Sequence, residues 1–204
     1  MATDPHEVRR VDIGDGIYVR VPPADVDGPQ PEVRPARVWH VPPVAYLLGA
    51  GLAAVALVRL GPTAEGFFAA GVLVVLSVLA AIDTKARILP NVIVLPATAA
   101  VLVWQLVFFP HDWAQWILGA LGAAVILLLP SLIQRGAVGM GDVKLGALLG
   151  AALGQEVLSA LMLGFLAVVP FALVLLVRRG AAARRSTLPL GPFLAFGAAV
   201  ALLS

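Results

Sequence analysis

The sequence predicts an all-α, polytopic membrane protein of about seven transmembrane helices, with a mostly disordered N-terminal tail. Three observations predict it. Of the 204 residues, 60% are apolar and only 13% are charged, against about 45–50% and about 25% in an ordinary soluble domain. That leaves too little polar surface to cover a water-soluble globule. Polarity is also segregated along the chain: residues 1–43 are rich in Pro, Asp and Arg, whereas from Val44 onward long apolar runs alternate with short polar breaks. Finally, the Lys and Arg residues obey a single threading of those runs through a bilayer. Two domains are expected, a cytoplasmic polar tail at 1–43 and a membrane-embedded domain at 44–204.

The tail has few large apolar residues and reads as a disordered, solvated segment. The stretch Val11–Val21 alternates weakly, so a short strand or a partner-binding segment is the alternative there. Met1–Arg37 contains no apolar run of signal-peptide type, and none is expected.

Seven apolar segments follow, at about 44–60, 66–82, 92–109, 114–133, 143–155, 157–177 and 188–203. A spanning helix needs about 20 residues, so the fifth and seventh are short and must be enclosed by neighbours. Gly61-Pro62, Pro90-Asn91, Pro110-His111-Asp112 and the stretch from Gly136 to Gly141 punctuate the breaks. The fifth segment carries Gly146, Gly150 and Gly154 at every fourth position, a face on which membrane helices approach closely.

A cytoplasmic N-terminus places the breaks near 83–91, 134–142 and 178–187 on the inner side. Thirteen of the fourteen Lys and Arg residues then lie inside, and only Arg59 falls outside. The opposite threading leaves a single positive charge inside and is rejected. The protein is therefore expected in the cytoplasmic (inner) membrane, its partner the lipid bilayer. The absence of cysteine excludes disulfides, zinc–thiolate sites and thiol catalysis. A net charge of +2 is too small to suggest nucleic-acid binding.

Acidic residues are scarce in the membrane domain. Glu65, Asp112 and Glu156 fall in outer breaks, where a carboxylate is simply solvated. Asp83 and Asp142 both fall on the inner side, each where an apolar helix meets a polar break. Two carboxylates at one depth can converge, and carboxylates held a few ångströms apart share a proton because they cannot both ionise. One then serves as general base toward water while the other polarises a peptide carbonyl, the arrangement of aspartic proteases.

Each residue also has a plainer reading. Asp142, in Gly139-Met140-Gly141-Asp142-Val143-Lys144, stands where an N-cap is favourable. Gly139 and Gly141 permit close backbone approach beside it. Lys144 reads as a snorkelling lysine, with a bias on the nearby carboxylates as the alternative. Asp83 reads equally as an interfacial charge paired with Lys85 or Arg87.

Three stretches, AAIDTKARILPN, GMGDVKLGALLGAALG and TLPLGPFLAFGA, resemble in order the segments of the type IV prepilin peptidase family, which includes the archaeal preflagellin peptidases. The resemblance runs from about residue 66 to the end of the chain. It implies a membrane-embedded aspartyl endopeptidase that removes the short basic leader of type IV pilin-like precursors at the cytoplasmic membrane face. It assigns the two catalytic aspartates to Asp83 and Asp142 and the GxGD glycines to Gly139 and Gly141, and it implies neither metal nor cofactor. Many bacterial members carry a domain with two cysteine pairs between their first two helices and also methylate the new N-terminus. Here only Gly61 to Glu65 separates the first two spans, which implies a form without N-methyltransferase activity.

Two readings of another class stand beside this one: an ion- or proton-coupled transporter, which expects acidic residues at mid-membrane, and a non-enzymatic scaffold of a pilus or secretion assembly. The presenilin and signal-peptide-peptidase group shares GxGD, but it has Tyr before the first aspartate and Pro-Ala-Leu near the end. Ile82 and Leu188-Pro189-Leu190 stand at those places here.

Overall fold

The structure is a computed structural model and describes residues 9–12, 18–21, 41–133, 139–179 and 189–204. The chain divides into two units, Met1–Val38 and Trp39–Ser204. In the first, β1 (Arg9–Asp12) pairs antiparallel with β2 (Tyr18–Val21), Arg9 opposite Val21 and Asp12 opposite Tyr18. The weak alternation at Val11–Val21 thus supports a two-stranded pairing that begins at Arg9. Residues 41–43 of the expected disordered tail are also described, and Pro43 already belongs to a helix; the remainder of the tail lies outside the described residues.

Among the described residues the second unit holds seven α-helices: α1 (Pro43–Leu60), α2 (Ala64–Ala86), α3 (Asn91–Phe108), α4 (Trp113–Ile133), α5 (Met140–Leu153), α6 (Val157–Arg179) and α7 (Gly191–Leu203). Five stretches are long and apolar enough to cross a membrane, one of them α5 and α6 counted as a single run, and α7 is a shorter apolar helix. Local chemistry sets the boundaries. Pro43 opens α1 at a position where the missing N–H costs nothing. Thr63 caps α2 by accepting from the Gly66 amide at 3.1 Å. Pro96, Pro130 and Pro170 lie inside α3, α4 and α6, tolerable in membrane helices, where neighbours re-satisfy freed carbonyls.

The two ends of the bundle differ chemically. At one end a cavity of about 560 Å³ is bordered by Glu65, Asp112, Gln115, Gln155 and Glu156. At the other, Asp83, Arg87, Asn91, Asp142 and Lys144 surround a cavity of about 340 Å³. α2 and α3 join the two ends in opposite senses, and α5 leads from Asp142 at one to Leu153 at the other. The two ends therefore sort the acidic residues as the threading anticipates.

α5 is the centre. Nine of its fourteen residues are buried, whereas α1, α3 and α4 turn large apolar side chains such as Leu47, Val58, Val92 and Leu118 outward. At about 1.5 Å per residue α5 is about 21 Å long, short of a hydrocarbon layer of about 30 Å. It is enclosed because small residues let α4 close on it: a Cβ on Gly150 would land on the Gly119 carbonyl, and one on Gly146 would lie 2.5 Å from Leu127 Cδ1. α6 and α7 meet the same way, antiparallel, with Gly164 against Leu194 and Gly197 against the Ala160 carbonyl. Buried Gln105 of α3 donates from Nε2 to the Ala152 carbonyl of α5 at 3.0 Å.

Candidate active site

Three helix termini build the site. α2 runs one turn farther than its apolar stretch, through Asp83 to Ala86, because Ala80, Ala81, Lys85 and Ala86 favour helix. Asp83 therefore sits inside the last helical turn, just before the polar break, and is 5% exposed. Arg87 ends the helix in the left-handed region at φ 52, and its N–H donates to the Asp83 carbonyl at 2.8 Å. Leu89, 6% exposed, then turns the chain inward, and α3 begins at Asn91.

α5 enters from an extended Gly139, whose carbonyl accepts from the amides of Asp142 and Val143 at 3.0 and 3.3 Å. Gly139, not Asp142, is thus the N-cap residue, and no side chain caps the helix there. Asp142 lies in the first turn, with its carboxylate folded back against the Gly139 backbone. Gly141 makes the entry possible, because a Cβ there would lie 3.0 Å from Leu89 Cβ.

Asp83, Asp142, Gly139, Gly141 and Lys144 all border one cavity of about 340 Å³, together with Arg87, Ile88, Leu89, Asn91 and Met140. Aspartates far apart in sequence thus meet at one end of the bundle, within electrostatic reach of each other. Two acidic groups bordering a polar cavity can activate a water and polarise a carbonyl in the same space. Lys144 is neither simply solvated nor joined to an aspartate: its Nζ donates to Asn91 Oδ1 at 2.7 Å, tying the start of α3 to the start of α5. Among the described residues no cluster of three His, Cys, Asp or Glu is placed to hold a metal ion.

Two residues lie in stretches that the sequence analysis quoted but were given no role there. The amide of Gly191, at the start of α7, donates to Asp83 Oδ2 at 2.9 Å across 108 residues of chain. Its sequence signals were a place in the stretch TLPLGPFLAFGA and a proline directly after it at a helix start. Asn91 is the other, visible only as half of a Pro-Asn pair.

Residues 70–177 match the model of the type IV leader peptidase family. The chain belongs to that family. Membership makes it a peptidase, here one with several apolar membrane-length helices. It is 32% identical over 169 residues to the prepilin leader peptidase/N-methyltransferase of Bacillus subtilis strain 168, covering 82% of this chain and 67% of that protein. It is 37% identical over 167 residues to the protein of that name from Burkholderia pseudomallei strain 1026b, covering 78% of this chain. The chain spans 53% of the Burkholderia protein's length. No solved structure matches at a significant level. Both aspartates and the cavity between them fall inside the part matched to the leader peptidase family, whereas α7 lies beyond it.

Proposed function

We propose that this leader peptidase cleaves type IV prepilin-like precursors with Asp83 and Asp142 as a proton-sharing dyad. The observation that carries the reading is that the two carboxyl groups border one cavity at one end of the bundle. One carboxylate takes a proton from a water as its oxygen attacks the carbonyl carbon of the scissile peptide. The other, protonated, gives its proton to the carbonyl oxygen, yielding a tetrahedral diol. The C–N bond then breaks as the leaving nitrogen takes the proton from the first group and one diol hydroxyl returns its proton to the second. The pair titrates as a unit. Gly139 lets the Asp142 carboxylate fold back on its backbone and Gly141 lets α5 start against Leu89, while Lys144 and Asn91 hold the two helix starts together.

Cleavage takes place at the cytoplasmic face of the inner membrane, with the N-terminus inside. The support is that the end bearing the dyad also bears Lys85, Arg87 and Lys144, which favour the inner side. The substrate is a pilin-like precursor, as the relatives' names indicate. The chain leaves the product's N-terminus unmethylated, since three residues join α1 to α2 and the sequence has no cysteine. Both aspartates lie in terminal helical turns instead of at mid-span, which disfavours the transporter alternative.

Asp83→Asn and Asp142→Asn test the dyad on a prepilin in detergent. Each is expected to abolish cleavage while leaving thermal unfolding near the parent's, and a near-parent rate in either variant refutes it. Mass spectrometry of the product decides methylation: the added mass of a methyl group on the new N-terminus refutes the peptidase-only form.

A further inference from the structure

An aspartate in the last turn of a helix is electrostatically misplaced. The C-terminal end of the helix carries the negative pole of its dipole and favours cations. Asp83 occupies that position in α2, is almost wholly buried, and still faces the cavity. The compensation comes from another helix. α7 points its N-terminus, the positive pole, at the carboxylate, and the Gly191 amide donates to Oδ2 at 2.9 Å. That amide is one of the first N–H groups of α7, which have no acceptor within their own helix.

We infer that Gly191 is a positioning residue for cleavage: its N–H holds Asp83 Oδ2 and leaves the second carboxylate oxygen for the reaction. The inference rests on the dyad reading and adds a third helix to it. Only glycine fits. A Cβ at 191 would lie 2.7 Å from Asp83 Oδ2, 3.0 Å from its Cγ and 3.1 Å from its Cβ, so any other side chain displaces the carboxyl group it should hold. Pro192 follows directly and begins the helix with a fixed φ.

The amide's position depends in turn on α6. Gly164 lies against the Phe193 carbonyl and Leu194, and Gly197 lies against the Ala160 carbonyl. These contacts set how far α7 slides along α6, and hence where Gly191 meets Asp83. Six residues separate Gly197 from Gly191, about 9 Å of helix, so Gly197 acts on the dyad without touching it.

Three variants of the full chain test this on a prepilin, with kcat and KM measured separately. Replacing the Leu190–Gly191 amide by an ester, by incorporating the α-hydroxy analogue of glycine at 191, deletes the N–H without adding bulk. It is expected to lower kcat about tenfold, the worth of a hydrogen bond to a charged group, with KM within about twofold. Gly191→Ala is expected to lower kcat about a hundredfold by displacing the carboxyl group. Gly197→Ala is expected to lower kcat with KM little changed. If the ester enzyme, folded as judged by its unfolding temperature, turns over within about twofold of the parent, the role of Gly191 is refuted. Asp83→Asn run alongside separates the two ideas: activity lost there but kept in the ester enzyme removes only Gly191, whereas activity kept in Asp83→Asn removes the dyad itself.

Discussion

Gly141→Ala is the smallest change that should disturb the site without removing a reacting group. The added methyl would lie 3.0 Å from Leu89 Cβ, 3.4 Å from its Cδ1 and 3.5 Å from its Cγ. Carbon atoms settle at about 3.5–4.0 Å, so a gap of about 0.5–1 Å must open. Leu89 is poorly able to give way. It is buried, and its short loop is fixed by the Arg87 amide on the Asp83 carbonyl and by Pro90 at the start of α3. The start of α5 moves instead and carries Asp142, the next residue, with it. Overpacking of this kind costs about 1–3 kcal/mol of stability, and a shift of about 1 Å at reacting groups costs about a hundredfold in rate. Single-turnover cleavage of a prepilin in detergent, beside thermal unfolding, should show a loss of rate far larger than the loss of stability alone explains. Leu89→Gly removes the opposing Cβ, so the double variant should cleave faster than Gly141→Ala alone. A near-parent rate for Gly141→Ala, or a double variant no faster than that single one, refutes the argument.

Three further outcomes follow from the packing. Lys144→Met removes the donor to Asn91 Oδ1, a bond at an exposed position; it should cost about 1 kcal/mol or less in unfolding free energy and slow cleavage less than tenfold. A loss as deep as that of the aspartate variants would instead put Lys144 on the reacting groups. Gly150→Ala drives a methyl onto the Gly119 carbonyl and should lower stability by about 3 kcal/mol, read as a fall in unfolding temperature; an unchanged temperature would mean that α4 and α5 are not in close contact. Gln105→Leu removes a donor to Ala152 together with an acceptor, Oε1, that has no partner. It should be neutral within about 1 kcal/mol, whereas Gln105→Glu, which buries a charge, should unfold at a clearly lower temperature.

The helices were legible because a bilayer accepts few alternatives. Apolar runs near membrane length, broken by Gly-Pro, Pro-Asn and Pro-His-Asp, left little choice of element, and Lys and Arg sorted the breaks. The two aspartates were legible as a pair because parity of crossing puts the end of α2 and the start of α5 at one end. Their exact settings were not. The apolar stretch stops at Ile82, yet the helix continues to Ala86, since helix propensity and hydropathy end at different residues. Gly139 took the cap that Asp142 seemed suited to, because an extended glycine lets the helix begin three residues earlier. The bond from Lys144 to Asn91 and that from Gly191 to Asp83 join distant parts of the chain. No local pattern encodes such pairings, which arise only once the bundle closes.

The lengths of the helices bear on where the proposed dyad sits. Gly164 faces Leu194, three residues into α7 from Gly191, so along antiparallel helices the level of Gly191 falls near residue 167 of α6. α6 continues to Arg179, about 18 Å farther at 1.5 Å per residue if it runs straight, with Val169, Phe171, Leu173 and Val177 exposed on the way. The short helix α7 therefore begins below the basic end of α6. That offset reconciles two demands that a single helix length cannot meet. Carboxylates at the level of the longest helix's end would be fully solvated, whereas carboxylates at the middle of a closed bundle would have no water. Starting α7 below that end recesses Asp83 among packed helices, and the cavity that it shares with Asp142, bordered by Arg87, Asn91 and Lys144, gives the water of the proposed reaction a place beside both carboxylates. Small residues that let short helices be enclosed, Gly119 against Gly150 and Ala160 against Gly197, thus set where α5 and α7 sit among their neighbours as well as the stability of the bundle.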